Sequence, residues 1–115
     1  MASGVKTVIY PVKDLAQAKT LYGILLGVQP DMDAPYYVGF TAANGQRIGL
    51  DPNGHSQGMT GPIGYWHVED VKQSLRRLLD AGAEIQQDVK DVGGGKLVVT
   101  VKDADGNVLG LIQAP

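Results

Sequence analysis

Apolar positions recur along this chain in two rhythms, and the rhythms alternate. Leu15, Ala18, Leu21, Tyr22, Leu25 and Leu26 fall at helical spacing and predict a helix over 15–26 with one face in a core. Val71, Leu75, Leu78 and Leu79 make a similar stripe and predict a second helix over 71–81. Each run opens on Asp-x-x-Gln, Asp14 with Gln17 and Asp70 with Gln73. An aspartate there can accept a bond from an orphan N–H of the first turn. Gly27 and Gly82 stand where each helix should stop. Between and around the helices, β-rich runs broken by turn residues predict strands over 4–11, 28–33, 36–42 and 46–51, then over 62–68, 84–91, 96–102 and 107–113. Pro35 separates two of these strands, and the run Gly93-Gly94-Gly95 reads as a turn, with no P-loop spacing after it.

The two halves echo each other. Val12-Lys13-Asp14-Leu15 resembles Val68-Glu69-Asp70-Val71. Ala43-Asn44-Gly45-Gln46-Arg47-Ile48-Gly49-Leu50 resembles Ala104-Asp105-Gly106-Asn107-Val108-Leu109-Gly110-Leu111. Asn-Gly and Asp-Gly between apolar runs are strong hairpin signals. Each half therefore reads strand, helix, strands and closing hairpin, an α+β domain of two tandem β-α-β-β-β modules. The whole of 1–115 reads as one domain, with module one at about 1–52 and module two at about 61–115. The Gly-, Asn- and Ser-containing stretch from Pro52 to Gly61 links them and is the segment best suited to act as a lid.

Strand alternation assigns faces. Leu97, Val99 and Val101 are greasier than Val98, Thr100 and Lys102, and pairing them with Leu109 and Leu111 requires a three-residue turn with a glycine bulge at Gly106. By the repeat, Tyr36, Val38, Phe40, Ile48, Leu50, Trp66 and Val68 also back onto a helix. The opposite face then carries Thr7, Ile9, Tyr37, Gly39, Thr41, Arg47, Gly49 and Asp51, with Ile63, Tyr65 and His67 in module two. Half polar and half apolar, such faces suit an amphipathic small molecule.

Composition narrows the partners. A net charge of −2 over 115 residues leaves no basic footprint for nucleic acid. No run of apolar residues is long enough to span a membrane. The first residues lack a signal-peptide pattern and the chain has no cysteine, so a cytoplasmic protein without disulfide or thiolate chemistry is expected.

With these residues in hand, the chain resembles the vicinal oxygen chelate superfamily of glyoxalases, bleomycin-resistance proteins and dioxygenases. The resemblance spans the whole chain. It is carried above all by the run Val101 to Leu111 and by Val68-Glu69-Asp70-Val71 followed by Leu79-Asp80-Ala81-Gly82-Ala83. It implies curved mixed sheets that form a cleft. It also implies, for the family's enzymes, a divalent metal held by His, Gln or Glu from the first and last strands of each module. Those positions match Thr7, Gly49, Ile63 and Gly110 here, which lack the imidazole, thiolate or carboxylate a transition metal favours. No metal or other cofactor is expected on that basis. The resemblance further implies a homodimer, since antibiotic-sequestering relatives commonly build their clefts from two chains.

Three functions stay open on the sequence. The first is a small-molecule binding protein of the glyoxalase/bleomycin-resistance type without the usual metal ligands, serving sequestration or resistance. Its ligand-binding residues would be Thr7, Ile9, Tyr37, Arg47, Gly49, Asp51, Ile63, Tyr65, His67 and Gly110. Arg47 could meet a carboxylate or phosphate, or instead pair with Asp51. Tyr37, Tyr65 and Ile9 could stack on a planar ligand or simply fill the cavity. The second is a glyoxalase- or dioxygenase-like enzyme, using His67 as a base or an atypical site drawn from Asp51, His55 and His67. The third is an interaction module whose cleft is packed shut.

Overall fold

The computed structural model describes residues 2–115. Both modules have the expected β-α-β-β-β order. Module one comprises β1 (Val5–Pro11), α1 (Leu15–Leu26), β2 (Met32–Ala34), β3 (Tyr37–Thr41) and β4 (Arg47–Asp51). Module two comprises β5 (Ile63–His67), α2 (Val71–Asp80), β6 (Glu84–Asp91), β7 (Leu97–Lys102) and β8 (Val108–Gln113). The chain divides into two compact units, Lys6–Ile63 and the N-terminal residues through Val5 together with Gly64–Pro115. The N-terminal residues join module two because Ser3 N–H donates to the His67 carbonyl (2.8 Å) and His67 N–H to the Gly4 carbonyl (3.1 Å).

The strands of module one lie in the order β2-β3-β4-β1, with β1 parallel to β4 and the others antiparallel. Those of module two follow the same scheme, β6-β7-β8-β5, with β5 parallel to β8. The two helices start alike. Asp14 accepts from Gln17 N–H at 3.0 Å and Asp70 from Gln73 N–H at 3.1 Å, each carboxylate satisfying an amide the helix leaves over. The Gln113 side-chain oxygen takes a further amide of α2, Val71 N–H, at 2.8 Å. α1 ends on Gly27 at φ 68°, where a side chain would be strained.

Each helix backs onto its own sheet. Val38, Phe40 and Leu50 are fully buried in module one against Ala18, Leu15, Tyr22 and Leu26. Val99, Val101 and Leu111 play this part in module two against Val71, Leu75 and Leu78. The face assignment thus holds for Val38, Phe40, Ile48, Leu50 and Val68. It rests on the expected turn. Asp103 N–H pairs with the Asn107 carbonyl around Ala104, Asp105 and Gly106, and Gly106 has φ 84°. Module one closes identically, from Ala42 to Gln46 around Gly45 at φ 85°.

Several expectations need correction. Leu21, Leu25 and Leu79 are exposed rather than in the helix–sheet cores, because those cores are already filled by Leu15, Ala18, Tyr22 and Leu26 or by Val71, Leu75 and Leu78. Tyr36 lies in the turn after Pro35 and is exposed, and Trp66 is 41% exposed. β2 begins at Met32, not at 28, because Asp31 N–H already bonds the Gly39 carbonyl and Pro30 before it has no amide to give a ladder.

Candidate functional site

The face of module one turned away from α1 is built by register. Thr7 pairs with Arg47 and Ile9 with Gly49 across β1 and β4, while Thr41 pairs with Arg47 and Gly39 with Gly49 across β3 and β4. Paired residues point to one side of a sheet, so these side chains share a face with Tyr37 and Asp51. Thr7 is buried; Ile9, Tyr37, Arg47 and Asp51 are half-buried. The structure brings together all six residues expected to bind ligand in this module.

Two glycines on these faces have occupied surroundings. A side chain at position 49 would overlap the hydroxyl and ring of Tyr37, so the phenol lies directly over Gly49. A side chain at position 110 would overlap the ring of Tyr65. Tyr65 pairs with Gly110 across β5 and β8, and Gly110 with Thr100 across β7 and β8. The repeat therefore uses one device twice: a glycine in the last strand with a tyrosine from a neighbouring strand laid across it. Tyr65 and Ile63 are buried, whereas Tyr37 keeps part of its surface in solvent. His67 stands at the end of β5 with its residue paired to Ile112.

Arg47 has a partner the sequence did not suggest. Its Nη1 lies 3.7 Å from Asp31 Oδ2 and donates to Thr41 Oγ1 at 3.3 Å, and Thr41 in turn donates to the same Asp31 oxygen. Of the two partners the sequence left open for Arg47, Asp51 does not pair with it; the triad forms instead because Asp31, just before β2, arrives beside Thr41. Asp51 instead accepts from Asn53 N–H at 2.8 Å. The triad holds the guanidinium in place while leaving 42% of its side-chain surface exposed. Burial raises the Tyr37 phenol above the ordinary tyrosine value, the Arg47 charge pulls it back, and Asp51 and Asp31 add to the rise. Tyr37 is consequently a neutral O–H donor at neutral pH, next to a fixed cation. This is chemistry for holding an oxyanion or carbonyl oxygen.

The divalent metal implied for family enzymes fails a fit to these residues. Gly49 and Gly110 bring no donor and are covered by tyrosine rings, Ile63 brings hydrocarbon, and Thr7 brings one neutral hydroxyl. Among the described residues no group of three or more His, Cys, Asp or Glu side chains converges. Asp51, His55 and His67 are thus not gathered. His55 sits on an exposed 3₁₀ turn, His55–Gln57, within the Pro52 to Gly61 stretch.

Comparison with known proteins agrees with the architecture. A structure described as an NAD-dependent benzaldehyde dehydrogenase from Legionella pneumophila is 22% identical, with TM-score 0.76 over 95% of this chain and 98% of that one. A glyoxalase/bleomycin resistance protein/dioxygenase superfamily member from Vibrio splendidus 12B01 is 17% identical, with TM-score 0.71 over 93% of this chain and 95% of that one. Methylmalonyl-CoA epimerase from Mycobacterium tuberculosis is 16% identical, with TM-score 0.72 over 99% of this chain and 89% of that one. At these identities the likeness is one of fold. A search of curated proteins finds no match. No described helix is long and apolar enough to cross a membrane. The family profile, however, matches residues 4–111, nearly the full length of the duplicated pattern, and with the repeated β-α-β-β-β topology it shows that the chain belongs to the Glyoxalase/Bleomycin resistance protein/Dioxygenase superfamily.

Proposed function

We propose that this chain is a metal-independent small-molecule binding protein, acting as one domain and as a cytoplasmic homodimer in sequestration or resistance. The observation that carries this reading is the Tyr37–Gly49 contact beside the Asp31–Thr41–Arg47 triad. Where family enzymes would need a metal ligand, this face offers an aromatic ring, a neutral phenol and a half-exposed guanidinium. Those groups recognise a planar, partly apolar molecule bearing a carboxylate or similar oxyanion. Thr7, Ile9, Tyr37, Arg47, Gly49 and Asp51 would contact it in module one; Ile63, Tyr65, His67 and Gly110 are the corresponding set in module two.

The test is a thermal-shift screen with planar antibiotics and small oxo-acids, followed by calorimetry on the hits. A ligand that binds the folded state raises the melting temperature by mass action. Planar carboxylates should stabilise the protein, and Arg47→Ala should weaken their binding about tenfold to a hundredfold, the usual worth of a charged hydrogen bond. Elemental analysis of the purified protein should find no stoichiometric transition metal. A tightly held ion, or turnover of a hit that depends on added metal, would instead support an enzyme with an atypical site.

A further inference from the structure

The outward face of α1 is apolar where its counterpart in the repeat is charged. Superposing the two helix starts, Asp14 on Asp70, places five exposed residues of the two helices at the same positions. In α2 these are Lys72, Gln73, Arg76, Arg77 and Asp80, a solvated face on which Leu79, 37% exposed, is the one large apolar residue. In α1 they are Ala16, Gln17, Thr20, Leu21 and Ile24, followed by Leu25. Leu21, Ile24 and Leu25 are 63%, 76% and 74% exposed. One fold element is thus used twice in one chain, and water accounts for the composition of only one copy.

We infer that this α1 face is the surface on which two copies of the chain associate. Three features select a second copy as the occupant. First, the face is neutral. A twofold contact sets the same patch of the two copies face to face, so a patch carrying charge of one sign would repel its copy and an uncharged one does not. Lys19, at the margin of this face, is paired with Asp33 at 2.7 Å. Second, the face carries projections and a recess side by side. Leu21 and Leu25 stand out beside Ile24, and Ile24 forms one wall of an adjoining depression that continues over Thr20, Gly23, Gly27 and Val28. Antiparallel packing of two such helices can set the projections of each into the recess of the other. Third, the area is of the right order. The three residues are 63–76% exposed and adjoin, which leaves an apolar patch on the order of the few hundred Å² that make up the main patch of a typical monomer. Two copies with their rims then approach the ~1,000 Å² at which a specific interface begins, which suits a weak, concentration-dependent dimer.

The inference specifies the interface of the proposed homodimer and does not depend on the ligand. Its test is sedimentation equilibrium of the full chain from about 1 to 500 μM, the range that brackets a weak dimer, on wild type and three variants. L21R with I24D gives α1 the residues α2 carries at the same positions, so the fold should tolerate them. Val92→Arg changes an exposed apolar residue elsewhere, 51% exposed, and serves as control. Leu21→Ala trims the patch without adding charge. The expected result is a reversible wild-type dimer, weakened roughly 30-fold or more in L21R/I24D, weakened less in Leu21→Ala and unchanged in Val92→Arg, with circular dichroism and melting temperature of the monomer preserved. A dimer that persists unchanged in L21R/I24D would overturn this interface while leaving the homodimer reading standing. A wild type that stays monomeric throughout would overturn both, and loss of dimer in Val92→Arg as well would overturn the assignment to α1.

Discussion

Gly49 and Gly110 perform the same task with different tolerance. At position 49 the colliding group is the far end of a half-buried tyrosine, which can swing outward. At position 110 it is the near side of a ring that is only 8% exposed and has little room to retreat. Gly110→Ala should therefore destabilise by about 1–3 kcal/mol, the usual range for overpacking, and Gly49→Ala by less. Urea denaturation would measure both, and a larger loss at position 49 would contradict the placement of the two rings. Tyr37 makes a second statement, about pH. Its raised pKa means that the folded state prefers the neutral phenol. That preference is fully present below the ordinary tyrosine pKa near 10 and is lost as pH rises through the folded value. An NMR titration should find Tyr37 ionising above the ordinary tyrosine value near 10. Removing the guanidinium in Arg47→Ala should push it higher still, since Arg47 is the charge that lowers it. A downward shift would show that Arg47 does not face the phenol.

At the scale of elements, the repeated structure was the most legible part of the sequence. Asp14 and Asp70 announce helix starts by local chemistry, and the structure places each carboxylate on the amide three residues later. The closing hairpins were equally plain, because Gly45 and Gly106 must supply positive φ for a three-residue turn. What could not be read was anything set by a distant segment. Periodicity marked Leu21 and Leu25 as apolar but is blind to whether a helix face meets its own sheet or something else. The partner of Arg47 depended on where β2 begins, which Pro30 and Asp31 shift by several residues. The tyrosine rings over Gly49 and Gly110 follow from side-chain direction across strands, which alternation alone does not give. The two hairpins also differ in a testable way. Asp103 accepts from the amides of Asp105 (2.9 Å) and Asn107 (2.8 Å) and from the Asn107 side chain (2.9 Å), while the matching residue in module one is Ala42. The Asn107 side-chain bond is the largest cause holding the Asp103 carboxyl below the ordinary value. A depressed folded pKa gives stability that is present above the unfolded pKa and lost as pH falls through the folded one. Acid should thus lower the protection of the Asp105 and Asn107 amides, relative to their intrinsic exchange rates, before it affects Gly45 and Gln46, and Asp103→Ala should remove the difference.

On the scale of the whole molecule, each compact unit carries its own closed set of core residues, and that sets how damage should spread. In Lys6–Ile63 the core between helix and sheet is small: Val38, Phe40 and Leu50 have no exposed surface, and Ala18 completes that buried cluster. Phe40 is its largest member. Replacing it with alanine removes most of an aromatic side chain from under α1 and leaves a cavity, at a cost of about 3–5 kcal/mol. That is a large share of the ~5–15 kcal/mol by which domains are stable. Gly23 lies over the ring, 3.7 Å from Phe40 when given a side chain, so α1 should loosen with it. Hydrogen exchange in Phe40→Ala should therefore accelerate across α1, β3 and β4, including Gly49 and Arg47, and any ligand held on that face should bind more weakly although no contacting residue has changed. Leu21→Ala, by contrast, removes a side chain that contributes nothing to this core and should leave exchange in β3 and β4 of the monomer as it is in wild type. If the two substitutions loosened the strands equally, α1 would be packed on the sheet by the opposite face, and both the core and the exposed apolar surface would have to be exchanged.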